Sequence, residues 1–363
     1  MSSLPSSLPL KIQAMQSWLR DHLFKREIIK ERERTFFEHG SMILEKLIVS
    51  CNGKPIPIRT FSAQEIWLAT NNHCECQEWY WYKGSLEGRK VFVRRFPDFK
   101  MVAKFIINDL VISAQMCGHN NVLKPIGCCL DTKCPILVYE FAANGILADR
   151  IYVSRVTHRQ HQPMVWERRL KIARQIAHVI SYLHTAFERP VIHMCIDMYA
   201  ILLDEHDLPK LSDFFISMSI PKGQTYVIGN EVVRRSRFSA PEYKASGRVT
   251  EKTDVYDFGV LLLELLTGED SCHVTRLTID KDSSLVAYMH NNRAQGSCIS
   301  INEIMDPAIM AKGEGDATLP RQLQAVLDLA LTCTEQDPQR RPTTVDVTKQ
   351  LRQIERFIPL LII

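Results

Sequence analysis

The sequence predicts an α+β chain in two lobes, a small β-rich one followed by a larger helical one. Three observations predict it. Between Phe61 and Phe141, short β-like runs recur (Glu78 to Lys83, Arg89 to Phe96, Pro135 to Phe141) around one segment of helical period, Ala103 to Cys117. After Asn144-Gly145 the period turns helical, over Trp166 to Thr185, Asp254 to Thr267, Ser284 to Asn292, Leu319 to Glu335 and Val345 to Phe357. The 363 residues, 45% hydrophobic and 24% charged, can bury a sizeable core, which excludes a disordered, collagenous or coiled-coil chain.

The elements follow in order. Residues 1 to about 10 are Ser/Pro-rich and expected to be mobile, and Lys25 to Arg34 is a charge run of the kind that forms a solvated helical face. Phe36, Phe37, Gly40, Ile43, Leu44, Leu47 and Ile48 then recur every three to four residues, an amphipathic helix ending near Asn52-Gly53. Pro55 and Pro57 close it off. The expected divisions are a mobile, charged segment over 1–32, a helical extension over 33–59, a small lobe over 60–141, a large lobe over 142–357 and an apolar tail over 358–363. Val153 to Pro163 reads as a polar loop.

A net charge of +4, with the charges interspersed, gives no reason to expect a nucleic-acid partner. No run of ~18 apolar residues is present, so no membrane-spanning helix is expected. The first residues lack a secretory pattern, Ser2 removes N-myristoylation, and eleven irregularly spaced cysteines fit reduced thiols, so the expected location is the cytoplasm. Cys74-x-Cys76 and His158-x-x-His161 have metal-like spacing, but neither has a second pair at a suitable distance, so no metal is expected.

The motifs carry a resemblance. They are Phe61-Ser62, Leu137-Val-Tyr-Glu-Phe141, Tyr182-Leu-His184, Lys210-Leu-Ser-Asp-Phe214, Ala240-Pro-Glu242, Asp254-Val-Tyr-Asp-Phe-Gly259 and Arg340-Arg-Pro342. In this order the chain resembles a plant receptor-like protein kinase over about residues 60 to 355. That implies a two-lobed protein-kinase-like fold, a small β-rich N-lobe and a larger α-helical C-lobe, with an N-terminal helical extension.

A kinase works by positioning nucleotide and metal, so each motif position has a stated electrostatic task. The Gly-rich slots fall on Cys74-Glu-Cys-Gln-Glu-Trp79, with no glycine and two carboxylates where phosphates would lie. In Val91-Phe92-Val93-Arg94, Phe92 replaces the Ala that makes room for adenine, and Arg94 replaces the lysine. Cys74, Cys76, Trp79 and Phe92 are thus expected to leave the nucleotide pocket occluded, with no cofactor. Asp109 stands where the family has the lysine's Glu partner, and an Arg94–Asp109 pair is the expected structural use. The catalytic loop reads His193-Met194-Cys195-Ile196-Asp197-Met198-Tyr199-Ala200: Cys195 replaces the base, Asp197 the phosphate-neutralising lysine, and Ala200 the metal-binding Asn. Asp213-Phe214-Phe215 keeps one metal ligand and loses the Gly. Losing a general base alone costs ~10²–10⁴ in rate, and here base, lysine and phosphate loop fail together. A Cys195–His193 nucleophile is disfavoured because the resemblance turns that histidine into the core. His193, Asp254, Glu242 and Arg341 are family positions that brace the larger lobe, with Glu242–Arg341 expected as a buried ion pair.

Phe36-Phe37-Glu38-His39-Gly40-Ser41, Cys51 to Arg59, Gly127-Cys-Cys-Leu130 and Tyr182 to Phe187 are similar to one branch of plant receptor-like cytoplasmic kinases. That branch consists of adaptor pseudokinases held by the leucine-rich-repeat region of a coiled-coil NLR immune receptor. They sense a bacterial effector directly or through an effector-modified receptor-like cytoplasmic kinase. The resemblance implies the same role here, in plant defence; a weak or atypical kinase and an allosteric scaffold of another kinase are the alternatives. Phe36, Phe37, Ile43 and Leu47 are the candidate receptor face, although the same helix could simply cap the small lobe. In the activation segment, Arg234, Arg235 and Arg237 replace the stretch that cradles a substrate peptide. They either dock an anionic partner or pair with carboxylates such as Glu231.

Overall fold

A computed structural model describes the chain apart from residues 1–9, 52–55, 72–75, 78–80, 97–101, 153–163, 230–239, 272, 274–276, 279–283, 295–299, 311–317 and 357–363. The described chain forms two compact units. One comprises Met1–Ile107 with Ile126–Tyr139, the other Asn108–Pro125 with Glu140–Ile363.

The smaller unit opens with α1, Leu10–Cys51. The charge run, read from the sequence as a helical face, and the amphipathic repeat lie on one 42-residue helix. Arg34 bonds Glu38 one turn on, at 2.9 Å, the spacing at which a solvated charged stretch supports a helix. His39 is buried and its ring Nδ1 donates to the Leu130 carbonyl at 2.9 Å, which ties the helix to its unit. Ile43 and Leu47, one and two turns further, are half-buried, whereas Phe37, Leu44, Ile48 and Val49 are exposed.

Then come β1 (Arg59–Thr60), α2 (Ala63–Ala69), β2 (Cys76–Gln77), β3 (Trp81–Leu86), β4 (Arg89–Arg94), α3 (Val102–Gln115), β5 (Pro125–Cys129) and β6 (Ile136–Glu140). The strands form one sheet in the order β1-β5-β6-β4-β3-β2. β1 runs parallel to β5, with Arg59 opposite Gly127. A Cβ at Gly127 would lie 2.3 Å from the Arg59 carbonyl oxygen, so only glycine permits this approach. α2 starts with a capping box: Glu65 N–H bonds Ser62 Oγ, and the Ser62 N–H donates to Glu65 Oε2 at 2.7 Å. Phe61, Ile66, Val91, Val93, Cys129, Ile136 and Val138 form the core.

In the larger unit, β7 (Gly145–Ile146), α4 (Ala148–Ile151), α5 (Trp166–Thr185), β8 (Val191–Ile192), β9 (Ile201–Leu203), β10 (Pro209–Leu211), β11 (Met218–Ser219), β12 (Val227–Ile228), α6 (Pro241–Ser246) and β13 (Arg248–Val249) precede the main helices. These are α7 (Glu251–Thr267), α8 (Leu285–Ala294), the short α9 (Ile301–Ile304) and α10 (Pro307–Met310), α11 (Leu319–Cys333) and α12 (Thr344–Glu355). α7 is buried along nearly its whole length. A Cβ at Gly259 would meet the Cys333 Cβ at 2.7 Å, so this glycine sets how closely α7 packs on α11. Asn108–Pro125 groups with this unit, rather than with the strands before and after it in the chain, because the Leu123 N–H donates to the Leu211 carbonyl and Asn121 Nδ2 to the Pro209 carbonyl.

Candidate functional site

The positions expected from the sequence fall in both units. In the smaller unit, Phe92 on β4 is 1% exposed, and its ring meets that of Trp81 edge-on with centroids 5.6 Å apart. Trp81 in turn meets Tyr139 on β6 at the same distance. The Arg94 guanidinium lies over the Trp81 ring at 4.7 Å and over the Phe96 ring at 5.0 Å. Three large rings and a stacked cation therefore pack together on this part of the sheet, around the position where the resemblance expects a small residue. On a strand that alternates, Trp81 reads from the sequence as a core or half-buried residue, and it is buried, but the cluster it forms with Phe92, Tyr139 and Arg94 emerges only from cross-strand register, with Trp81 opposite Arg94. Cys74 and Trp79 lie outside the described residues, as does the side chain of Cys76.

In the larger unit, the catalytic loop is held from beneath. Asp254 is fully buried. Its Oδ2 accepts from the His193 N–H at 2.8 Å and bonds the His184 ring at 2.8 Å, while Oδ1 accepts from the Met194 N–H at 2.8 Å. Met194 has φ +66, the left-handed region that costs a non-glycine residue roughly 1–2 kcal/mol, so these bonds hold a strained turn in place. His193 is itself buried: its Nε2 bonds the Ser212 carbonyl at 2.9 Å and its ring packs edge-on to Phe214. Burial pushes its pKa down. The ring is thus a core element rather than a partner for the Cys195 thiol, although the Cys195 N–H reaches its Nδ1 at 3.2 Å.

Along the loop itself, the chemistry is of another kind. Cys195 Sγ donates to Asp197 Oδ2 at 3.8 Å. Asp197 Oδ1 accepts from the N–H groups of Tyr199 and Ala200, both at 2.8 Å. The carboxylate serves as a turn acceptor where the family has a lysine, and burial pushes its pKa up to about 6 despite those bonds. Ala200 is fully buried. Asp213 has φ +69 and accepts from the Ser212 hydroxyl at 3.1 Å, and Phe214 and Phe215 open a short 3₁₀ turn. Asp109, fully buried, accepts from the Phe214 N–H at 2.9 Å. Among the described residues no group of three His, Cys, Asp or Glu side chains could hold a metal ion.

Below the loop, Arg341 makes a bidentate pair with Glu242, 2.8 Å on each arm, and its remaining donors reach the Glu335, Lys252 and Gln336 carbonyls. The guanidinium is fully satisfied in a dry site. Arg234, Arg235 and Arg237 lie outside the described residues, but their anchors are visible. Gly229 N–H donates to the Gly247 carbonyl on one side, and Ala240 begins α6 on the other.

The family description "Protein tyrosine and serine/threonine kinase" matches residues 72–351. Three Arabidopsis thaliana proteins show how the relatives divide. The chain is 36% identical over 334 residues to the serine/threonine-protein kinase ZRK1, covering 89% of this chain and 93% of the relative. It is 36% identical over 356 residues to the non-functional pseudokinase ZRK2 (94% and 96%), and 36% identical over 343 residues to the non-functional pseudokinase ZED1 (90% and 98%). The chain belongs to the protein kinase family, with its two-lobed fold, and is homologous to the ZRK kinases and pseudokinases of Arabidopsis. Among the described residues no helix is long and apolar enough to cross a membrane.

Proposed function

We propose that the chain is a catalytically inactive protein kinase, a cytoplasmic adaptor that links the action of a pathogen effector to a plant NLR immune receptor. The observation that carries the inactive half of this reading is the aromatic cluster of Trp81, Phe92 and Tyr139 with Arg94 stacked on it, where nucleotide binding needs a small residue and a compact ammonium. Cys195, Asp197 and Ala200 at the catalytic-loop positions support it independently, because the base, the phosphate-neutralising lysine and the metal-binding Asn of the family are all replaced there, and Asp197 is engaged with the Tyr199 and Ala200 amides. Relatives named as pseudokinases lend weight, and relatives named as kinases keep a weakly active enzyme as the alternative.

The partner in this reading is the leucine-rich-repeat region of a coiled-coil NLR, with an effector-modified receptor-like cytoplasmic kinase or a bacterial effector as the second contact. The exposed side chains of α1, Phe37 at 70% and Leu44, Ile48 and Val49 near 60%, offer more apolar surface than a cap requires. They refine the face expected from sequence, since Ile43 and Leu47 turn inward. The Arg234–Arg237 segment is the proposed contact for the anionic partner.

The deciding experiment has two arms. A ligand present at a hundred times its Kd stabilises a fold by ~2.7 kcal/mol, so a clear rise in Tm with millimolar Mg-ATP would overturn the inactive reading. Purification of the tagged chain from plant tissue, with and without effector, should bring down an NLR; an eluate holding only an active kinase would favour the scaffold. Arg234→Glu with Arg235→Glu should leave receptor capture intact and abolish effector-dependent partner capture.

A further inference from the structure

One side chain outside the motifs holds the root of the activation segment. Asn108, on α3, points its Nδ2 at three backbone carbonyls: Phe214 at 2.8 Å, Ser217 at 3.0 Å and Phe215 at 3.1 Å. The amide orientation is forced, because an oxygen in that place would face three carbonyl oxygens. Its neighbour Asp109 supplies the complementary contact, accepting the Phe214 N–H at 2.9 Å. One helical turn of α3 therefore presents a donor and an acceptor to a single 3₁₀ turn and satisfies its backbone from one side.

The opposite side is stitched as well. The Ser217 hydroxyl donates to the His193 carbonyl at 3.0 Å, the Phe214 ring packs on His193 with centroids 4.7 Å apart, and β11 pairs with β8 directly after the turn. The residue that would normally give this turn its freedom, a glycine, is Phe215, which takes up left-handed conformations only at a cost of roughly 1–2 kcal/mol that glycine does not bear.

We propose that Asn108 and Asp109 clamp the Asp213–Ser219 turn to α3, so that the root of the activation segment keeps one conformation with no nucleotide, metal or phosphate bound. Asn108 acts here as a positioning residue. Whatever conformational response the segment gives a partner then arises beyond Ser219, not by a flip at Asp213–Phe215. The clamp holds whether the chain is an adaptor or a weak kinase, so its test is separate from the nucleotide and pull-down experiments.

The test is amide hydrogen exchange on the full chain without ligand, read by mass spectrometry on peptides covering 212–220, with the 204–207 turn and α12 as fast and slow references. In the wild type, the Phe214 and Ser217 amides should exchange at least tenfold more slowly than the turn reference. Asn108→Leu, close in volume and without donors, should speed exchange at 213–219 at least tenfold while α12 is unchanged. Asn108→Asp, which turns a carboxylate on the same three carbonyls, should do so more strongly. Fast exchange in the wild type, or unchanged exchange in Asn108→Leu, overturns the clamp. If neither variant folds, the wild-type rates alone decide in the same way.

Discussion

His193 and Cys195 are two residues apart, and what surrounds each differs in kind. Around His193, the groups that hold the loop from below are complete: Asp254 caps two N–H groups and a histidine, and Arg341 is matched arm for arm to Glu242. At the family's catalytic positions, Cys195, Asp197 and Ala200, the side chains are a thiol, a carboxyl and a methyl, and the bonds of Cys195 and Asp197 close on the loop itself, Asp197 with the Tyr199 and Ala200 amides. The difference teaches that the brace and the chemistry of a kinase loop are separable. Asp254 holds the start of the loop from the core side through the His193 and Met194 amides, while Asp197, at a position of chemical consequence in the family, is used here to hold the end of it through the Tyr199 and Ala200 amides.

The comparison breaks hardest at Arg341. Arg341→Ala leaves the half-buried Glu242 without its bidentate partner and strips donors from three carbonyls, a loss of up to roughly 3–5 kcal/mol. The expected outcome is a fall in Tm large enough to lose most folded protein in a differential scanning measurement. A Tm within a few degrees of wild type would mean that the brace is not what holds this lobe. Arg341→Lys should recover only part of the loss, since an ammonium cannot reproduce the bidentate geometry.

The upper half of the comparison is sharpened by putting a catalytic residue back. Ala200→Asn restores the family's metal-binding side chain at a fully buried position, and enlarging a buried side chain costs about 1–3 kcal/mol. The variant should be less stable than wild type and should still show no Tm rise with Mg-ATP, because the Trp81–Phe92–Tyr139 cluster is untouched. A nucleotide-dependent rise in this variant would locate the defect in the loop alone.

How much of this was legible in the sequence depends on where the information sits. α5 falls on Trp166–Thr185, as its period predicts, because its apolar face repeats over five turns and Thr185 is followed by residues that end it. The Glu242–Arg341 pair was legible through motif order, although 99 residues separate its members. β1 was not: two residues have no period, and its existence depends on what Gly127 allows alongside it. Asn108 was equally invisible, since a helix that also carries Lys104, Asp109, Ser113 and Gln115 gives no sign of which polar residue serves the turn until its three carbonyl partners are in view. Buried Arg169 is a similar case, bonded to the Met164 and Leu265 carbonyls and to Asp306, partners scattered over more than a hundred residues.

The smallest expected effect sharpens the comparison through pH. Next to the loop, Glu264 on α7 is buried with its Oε1 accepting from the Ser271 hydroxyl at 2.5 Å and from the Ser271 N–H at 3.0 Å. Burial pushes its pKa from 4.5 up to about 7 against those bonds and one from Tyr152, and nearby Asp270, which takes the Tyr199 hydroxyl, adds to the rise. Asp197 is moved the same way, from 3.8 to about 6. A carboxyl whose pKa is higher in the folded chain holds its proton there after the unfolded chain has released it. Between pH 4.5 and about 7 the folded state therefore binds more protons, and stability falls as pH rises through that window. Glu264→Gln keeps an acceptor for Ser271 and removes the titration. Its Tm should match the wild type near pH 4.5 and exceed it by at least a few degrees at pH 8. Asp197→Asn should give a similar but smaller gain, with its window ending nearer pH 6. Arg341→Ala should show its loss at every pH in this range, because an arginine stays charged throughout. A Glu264→Gln curve parallel to the wild type from pH 4.5 to 8 would mean that this carboxyl titrates normally, and that the acids around the loop cost the fold nothing.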